Sequence, residues 1–107
     1  MICEPLPRPL TKEVAIELRE QWLSLVLDGI KQVVETDEGY QLDFGRQSED
    51  VQLLTQFLEI ERKCNPFLRM QLTLESNDGP IRIEVSGPAG TKDFLCTEYG
   101  LNRWFER

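Results

Sequence analysis

At 107 residues, 40% of them apolar and 29% charged, the chain has the size and make-up of one ordinary globular domain, neither disordered nor low-complexity. It contains no histidine, which excludes Ser-His-Asp and Cys-His catalysis, histidine-held zinc or haem, and an imidazole pH switch. Nineteen acidic residues against twelve basic ones give a net charge of −7. The densest basic pair is Arg62–Lys63, so the footprint of a nucleic-acid or anionic-membrane binder is missing, and no apolar run approaches the roughly 18 residues of a membrane span.

In chain order, Pro5, Pro7 and Pro9 predict an extended lead-in over residues 1–10, because proline cannot continue a helix. Thr11 is placed to cap a helix with Glu13 in its first turn. Val14, Leu18, Trp22 and Leu25 form its apolar stripe and Glu13, Glu17 and Glu20 its wet side. Gly29 is expected to end it in the left-handed conformation. A hairpin follows. Residues 30–36 are rich in β-branched side chains, Tyr40, Leu42 and Phe44 alternate with polar residues, and Asp37-Glu38-Gly39 reads as a turn with Gly39 at positive φ.

Ser48 is expected to cap a second helix, with Glu49 and Asp50 in its first turn, running to about Cys64 before Pro66 stops it. Leu68, Met70, Leu72 and Leu74 alternate with polar residues, as do Ile81, Ile83 and Val85. The turn-rich segment Ser76–Pro80 joins them into a second hairpin. After Gly87-Pro88-Ala89-Gly90, Thr91 is expected to cap a third helix ending at Gly100. The tail 101–107, with Trp104 and Phe105, is expected to pack against the rest. The order is α-ββα-ββα. It predicts a single two-layer α+β sandwich in which helices cover a four-stranded, mostly antiparallel sheet, with the strand order left open.

The second helix holds the most informative segment. Leu53, Leu54, Phe57, Leu58 and Ile60 define its apolar face, and Glu61 falls in the middle of that face, with Cys64 one turn later. A carboxylate aimed at a core needs a partner. Two readings stand side by side. In one, Glu61 is structural, at the helix end, reaching out past the sheet edge or pairing with an arginine such as Arg69. In the other, Glu61, Cys64, Phe67 and Arg69 line a small pocket for a polar ligand. Either way a partly buried Glu61 is expected.

Residues 61–67, E-R-x-C-x-P-F with Glu61, Arg62, Cys64, Pro66 and Phe67, resemble the hallmark of a family of small uncharacterised bacterial proteins. The likeness continues through the second hairpin into the third helix. It implies a bacterial cytoplasmic protein and carries no activity. Asn65 stands where relatives often have a second cysteine, a departure that weakens any vicinal-dithiol role.

Three cysteines, Cys3, Cys64 and Cys96, cannot all pair within the chain and include no C-x-x-C spacing. With no apolar h-region near the first residue, they are expected to be free thiols in a reducing cytoplasm. Cys64 lies at a helix C-terminus beside Glu61, where both the helix dipole and the carboxylate oppose a thiolate. A soft-metal site of Cys64, Cys96 and Glu61 matches no zinc spacing, and no cofactor is expected. Residues 86–92, Ser-Gly-Pro-Ala-Gly-Thr-Lys, superficially evoke a phosphate loop but miss its spacing and read first as a strand-to-helix turn.

Three function classes survive. The first is a non-enzymatic interaction protein, with a homodimer as one form of it. The second is a small-ligand domain centred on Glu61, and the third a thiol-dependent metal or redox protein using Cys64. The surroundings of Trp22, Trp104 and Phe105 separate the first two: joint exposure favours association, joint burial a pocket.

Overall fold

The computed structural model describes residues 6–45 and 50–105. Ser48 and Glu49, expected at the start of the second helix, and Cys3 lie outside them. The first helix, α1 (Lys12–Asp28), begins where Thr11 accepts a hydrogen bond from the Val14 amide at 3.2 Å. Glu13, Glu17 and Glu20 face water, as the charge pattern requires. The buried stripe is Ala15, Trp22, Leu23 and Val26, rotated from the expected one, so Val14, Leu18 and Leu25 only flank the core. The rotation reflects what α1 packs on. Its main neighbour is the second helix, α2 (Asp50–Cys64), and the small Ala15 lets the two approach.

Gly29 does not adopt the left-handed conformation expected of it; its φ is −88°. The helix instead tightens, with the amides of Gly29 and Ile30 bonding to Val26 and Leu27 carbonyls, and delivers the chain directly to β1 (Gln32–Glu35). The strand β2 (Gly39–Asp43) returns antiparallel. Gly39 is also not at positive φ. Glycine is needed there for a different reason: a Cβ would lie 1.8 Å from the Val85 carbonyl oxygen.

The second hairpin, β3 (Arg69–Leu74) and β4 (Ile81–Ser86), turns through Asn77 and Asp78, both left-handed at φ 59° and 54°. The Gly79 amide bonds to the Ser76 carbonyl, so this is the mirror-image turn that matches the twist of a hairpin. The third helix, α3 (Thr91–Tyr99), is preceded by Gly90 at φ 94° and closed by Gly100 at φ 63°. Thr91 is thus the first helical residue rather than the cap, and its side chain is buried.

All four strands pair antiparallel in the order β1-β2-β4-β3. Period-two alternation then sorts the sheet into two faces. Val33, Tyr40, Leu42, Ile81, Ile83 and Val85 lie on one face and share a core with Trp22, Val26, Leu54, Phe57, Ile60 and Leu95 from the helices. Gln41, Asp43, Gln71, Thr73, Arg82 and Glu84 lie on the other, where no helix among the described residues covers them. This is the two-layer α+β sandwich. Of the proline-rich lead-in, the described residues 6–10 pack against the rest, since Leu6 and Leu10 are buried in the core. A 3-10 turn, Leu101–Trp104, follows α3 and lies beside β1. It buries Leu101 and sets Phe105 against Tyr40, with ring centroids 5.8 Å apart.

Candidate functional site

Because Glu61 lies on the apolar face of α2, the fold carries its carboxylate into the layer between helices and sheet, where it is 0% exposed. Burial is complete rather than partial, and the partner is not Arg69. Arg19, on the inner face of α1, grips the carboxylate with two nitrogens: Nε donates to Oε1 at 2.6 Å and Nη2 to Oε2 at 3.1 Å. Asn65 Nδ2 donates to Oε1 at 3.1 Å, and the Tyr99 hydroxyl of α3 donates to Oε2. Arg19 Nη1 continues to Glu98 at 2.9 Å.

A carboxylate offers about four lone-pair sites, and here each oxygen already accepts two hydrogen bonds. Nothing remains to bind a ligand. The cluster ties α1, α2 and α3 together and satisfies a charge that could not otherwise be buried. Its electrostatics follow from the same geometry. The Glu61 hydrogen bonds hold the Arg19 guanidinium protonated still more firmly than usual. Burial first, then the Glu61 charge, pushes the Tyr99 phenol well above its ordinary value. Edge contact with Phe57, 6.4 Å between centroids, completes the tyrosine's packing.

The four candidates that the sequence groups around this helix end therefore part company. Cys64 stands one turn from Glu61, half-buried, and burial followed by the carboxylate raises its thiol pKa. Phe67 is 44% exposed and packs edge-on against Phe94 at 5.1 Å. Arg69 sits at an odd position of β3, so alternation sends it to the uncovered face of the sheet, beside Gln71, Glu84 and Ser86. Four surface cavities among the described residues are lined by neither Glu61, Cys64 nor Phe67. Among the described residues, no group of three cysteine or carboxylate side chains is gathered to hold a metal. Cys96 instead meets the Tyr40 hydroxyl at 3.0 Å, and that contact, with burial, pushes the Tyr40 phenol up to about 12.

The loop before α3 is a turn stapled from both sides. The Gly87 amide bonds to the Glu38 carbonyl, and the Thr91 amide to that of Pro88. Lys92 is held by Glu35 at 2.7 Å. The adjoining depression, about 290 Å³, is flanked by Asp37, Glu38 and Asp93; three carboxylates around one paired lysine repel an anion. The Arg62–Lys63 pair borders a shallow hollow of about 480 Å³ with Arg8 and Glu59, in which Arg8 already forks onto Glu59 at 2.9 and 3.1 Å.

Sequence reading misses Arg19, Tyr99 and Asn65, although each carries a signal. Arg19 lies four residues after Ala15 and three before Trp22, on the face that proves buried. Tyr99 lies four residues after Leu95, and Asn65 four after Glu61. The aromatic criterion splits, with Trp22 buried, Trp104 half-buried and Phe105 exposed. No helix among the described residues is long and apolar enough to cross a membrane. No protein-family model matches the chain, and no curated protein or solved structure does so either.

Proposed function

We propose that this chain is a non-enzymatic interaction domain of the bacterial cytoplasm that docks a protein strand along the outer edge of β3. The observation that carries the reading is the state of that edge. Ile81 turns its amide and carbonyl toward the β2 side, bonding Gly45 and Phe44. Alternation then directs Arg82, Glu84 and Ser86 to β3, where they bond Thr73, Gln71 and Arg69. The backbone groups of Met70, Leu72 and Leu74 are left pointing outward. Their side chains lie on the helix-covered face but beyond the full reach of the helices, and Leu74 is 56% exposed.

Among the described residues no strand pairs with this edge, and an open edge with apolar side chains is a template for strand addition. No proline or lysine interrupts residues 69–74, whereas the opposite edge strand, β1, is only four residues long and has the 3-10 turn beside it. The saturated Glu61 gives the small-ligand reading no anchor, and the raised Cys64 pKa gives thiol chemistry no support. The dispersed cations and net charge of −7 weigh against nucleic acid and membrane surfaces. The cellular setting rests on the E-R-x-C-x-P-F resemblance and on the free thiols of Cys64 and Cys96.

A photoreactive side chain in place of Leu74, activated in living cells, tests the edge. A discrete protein adduct is expected from Leu74 and none from Ile16, equally exposed but on α1. Adducts of equal yield at both positions, or none at Leu74, overturn the reading.

A further inference from the structure

We infer that the strand docked on β3 is the β3 of a second copy, antiparallel about a two-fold axis through Leu72; this rests on the edge-docking reading and names its partner. The side chains themselves select the register. The axis through Leu72 sets Met70 opposite Leu74, Leu72 opposite its own counterpart, and Leu74 opposite Met70. These are the three residues whose backbone groups point outward, so each pair exchanges two hydrogen bonds. Their side chains meet on the helix-covered face, and the exposed Leu74 is packed against Met70.

On the other face the same register sets Gln71 opposite Thr73 and Arg69 opposite Glu75. These are non-hydrogen-bonded pairs, in which cross-strand side chains approach most closely. No salt bridge among the described residues engages Arg69. Glu75 Oε2 accepts from Arg82 Nη1 at 2.8 Å, leaving Oε1 for the arginine of the second copy. The two-fold makes this charge pair twice. Moving the axis one residue, to Gln71, sets Arg69 opposite Thr73 and Glu75 opposite Phe67, while moving it to Thr73 sets Glu75 opposite Gln71. The Leu72 register alone is complementary in both apolarity and charge. It merges two sheets into one of eight strands, with the helices of both copies on the same side and the β3 edges removed. A contact of this length lies at the small end of specific interfaces, so the dimer forms by mass action rather than obligatorily.

The test is sedimentation of the full chain over a concentration series, with R69E, E75R and the double reversal, each checked for its fold by circular dichroism at high dilution. Each single reversal is expected to weaken dimerisation about tenfold or more, since like charges then face each other twice. The double reversal is expected to recover the dimer to within about threefold of the parent. E75R also loses the Arg82 contact, so amide exchange of the unaltered chain supplies an independent reading. Raising the concentration is expected to slow exchange at Met70, Leu72 and Leu74, leaving Gln71 and Thr73, already bonded to β4, unchanged. A monomer at every concentration, a dimer indifferent to the reversals, or exchange without this alternation overturns the second-copy assignment. If the purified chain is monomeric while Leu74 still forms an adduct with another protein in cells, the second copy is wrong and edge docking stands. With neither dimer nor adduct, both fall.

Discussion

Neutralising Glu61 and removing its guanidinium partner are unequal perturbations, although both break the same ion pair. Glu61→Gln leaves Arg19 partly solvated and still bonded to Glu98 at 2.9 Å. Arg19→Met leaves a carboxylate with no solvent access and only Asn65 and Tyr99 as donors. The arginine substitution is therefore expected to approach the roughly 3–5 kcal/mol cost of an unpaired buried charge, and the glutamine substitution to cost about half as much. Urea unfolding of the two variants measures this; equal losses would contradict the saturated-carboxylate geometry. The tyrosines give a pH signature. The chain has two, Tyr40 and Tyr99, and both phenols are pushed above 10.0 in the fold. The native state thus holds two protons that the unfolded chain releases at alkaline pH, so the phenols' contribution to stability is complete below pH 10.0 and is lost as pH rises from there through about 12 and beyond. Tyrosinate absorbance of the folded protein is expected to stay low at pH 10.0, where the urea-unfolded chain is half ionised. Tyr40→Phe is expected to about halve the alkaline loss of stability between those values, leaving the share of Tyr99.

Among the elements, glycine shows how a correct local expectation can have a wrong cause. Turn chemistry accounts for a glycine at position 39, yet the φ of Gly39 is ordinary and its constraint comes from β4, a strand 42 residues downstream whose Val85 carbonyl fills the place of a Cβ. Gly100 has the opposite character, with φ 63° and open space. Asparagine tolerates the left-handed region, so Gly100→Asn is expected to cost well under about 1 kcal/mol. Gly39→Asn is expected to be as damaging as Gly39→Ala, about 3 kcal/mol or more, because strands must separate. Thermal unfolding of the three variants separates the two causes. What is legible in the sequence shares this locality. Helix spans, hairpin alternation and the inward-facing Glu61 depend on neighbours within a few residues and can be read directly. The α1 stripe reads rotated, since Ala15 carries little hydrophobic signal and its burial is imposed by α2. The partner of Glu61 escapes such a reading because Arg19 and Tyr99 stand 42 and 38 residues away, beyond any helical or strand period.

At the scale of the molecule, strand order is the information that local pattern withholds. Both hairpins are local, but nothing in either marks whether β3 or β4 meets β2. The structure answers with β4, the strand whose alternate residues Ile81, Ile83 and Val85 are all buried, while β3 carries the less buried Met70, Leu72 and Leu74. The better-packed strand takes the centre, and the strand with something left to cover takes the edge. That placement also sets the order of events at the ribosome. Synthesis runs from the N-terminal side, so β1, β2 and β3 are all made before the strand that must lie between the last two. Until β4 and α3 arrive, β2 and β3 each present an open flank, able to zip to one another in error, and Glu61 waits without its tyrosine. A chain stalled after Pro80 is expected to remain sensitive to protease, with resistance appearing only once Tyr99 and Leu101 have emerged. The core of this domain closes only once α3 has been made, and until then the open flanks of β2 and β3 need shielding.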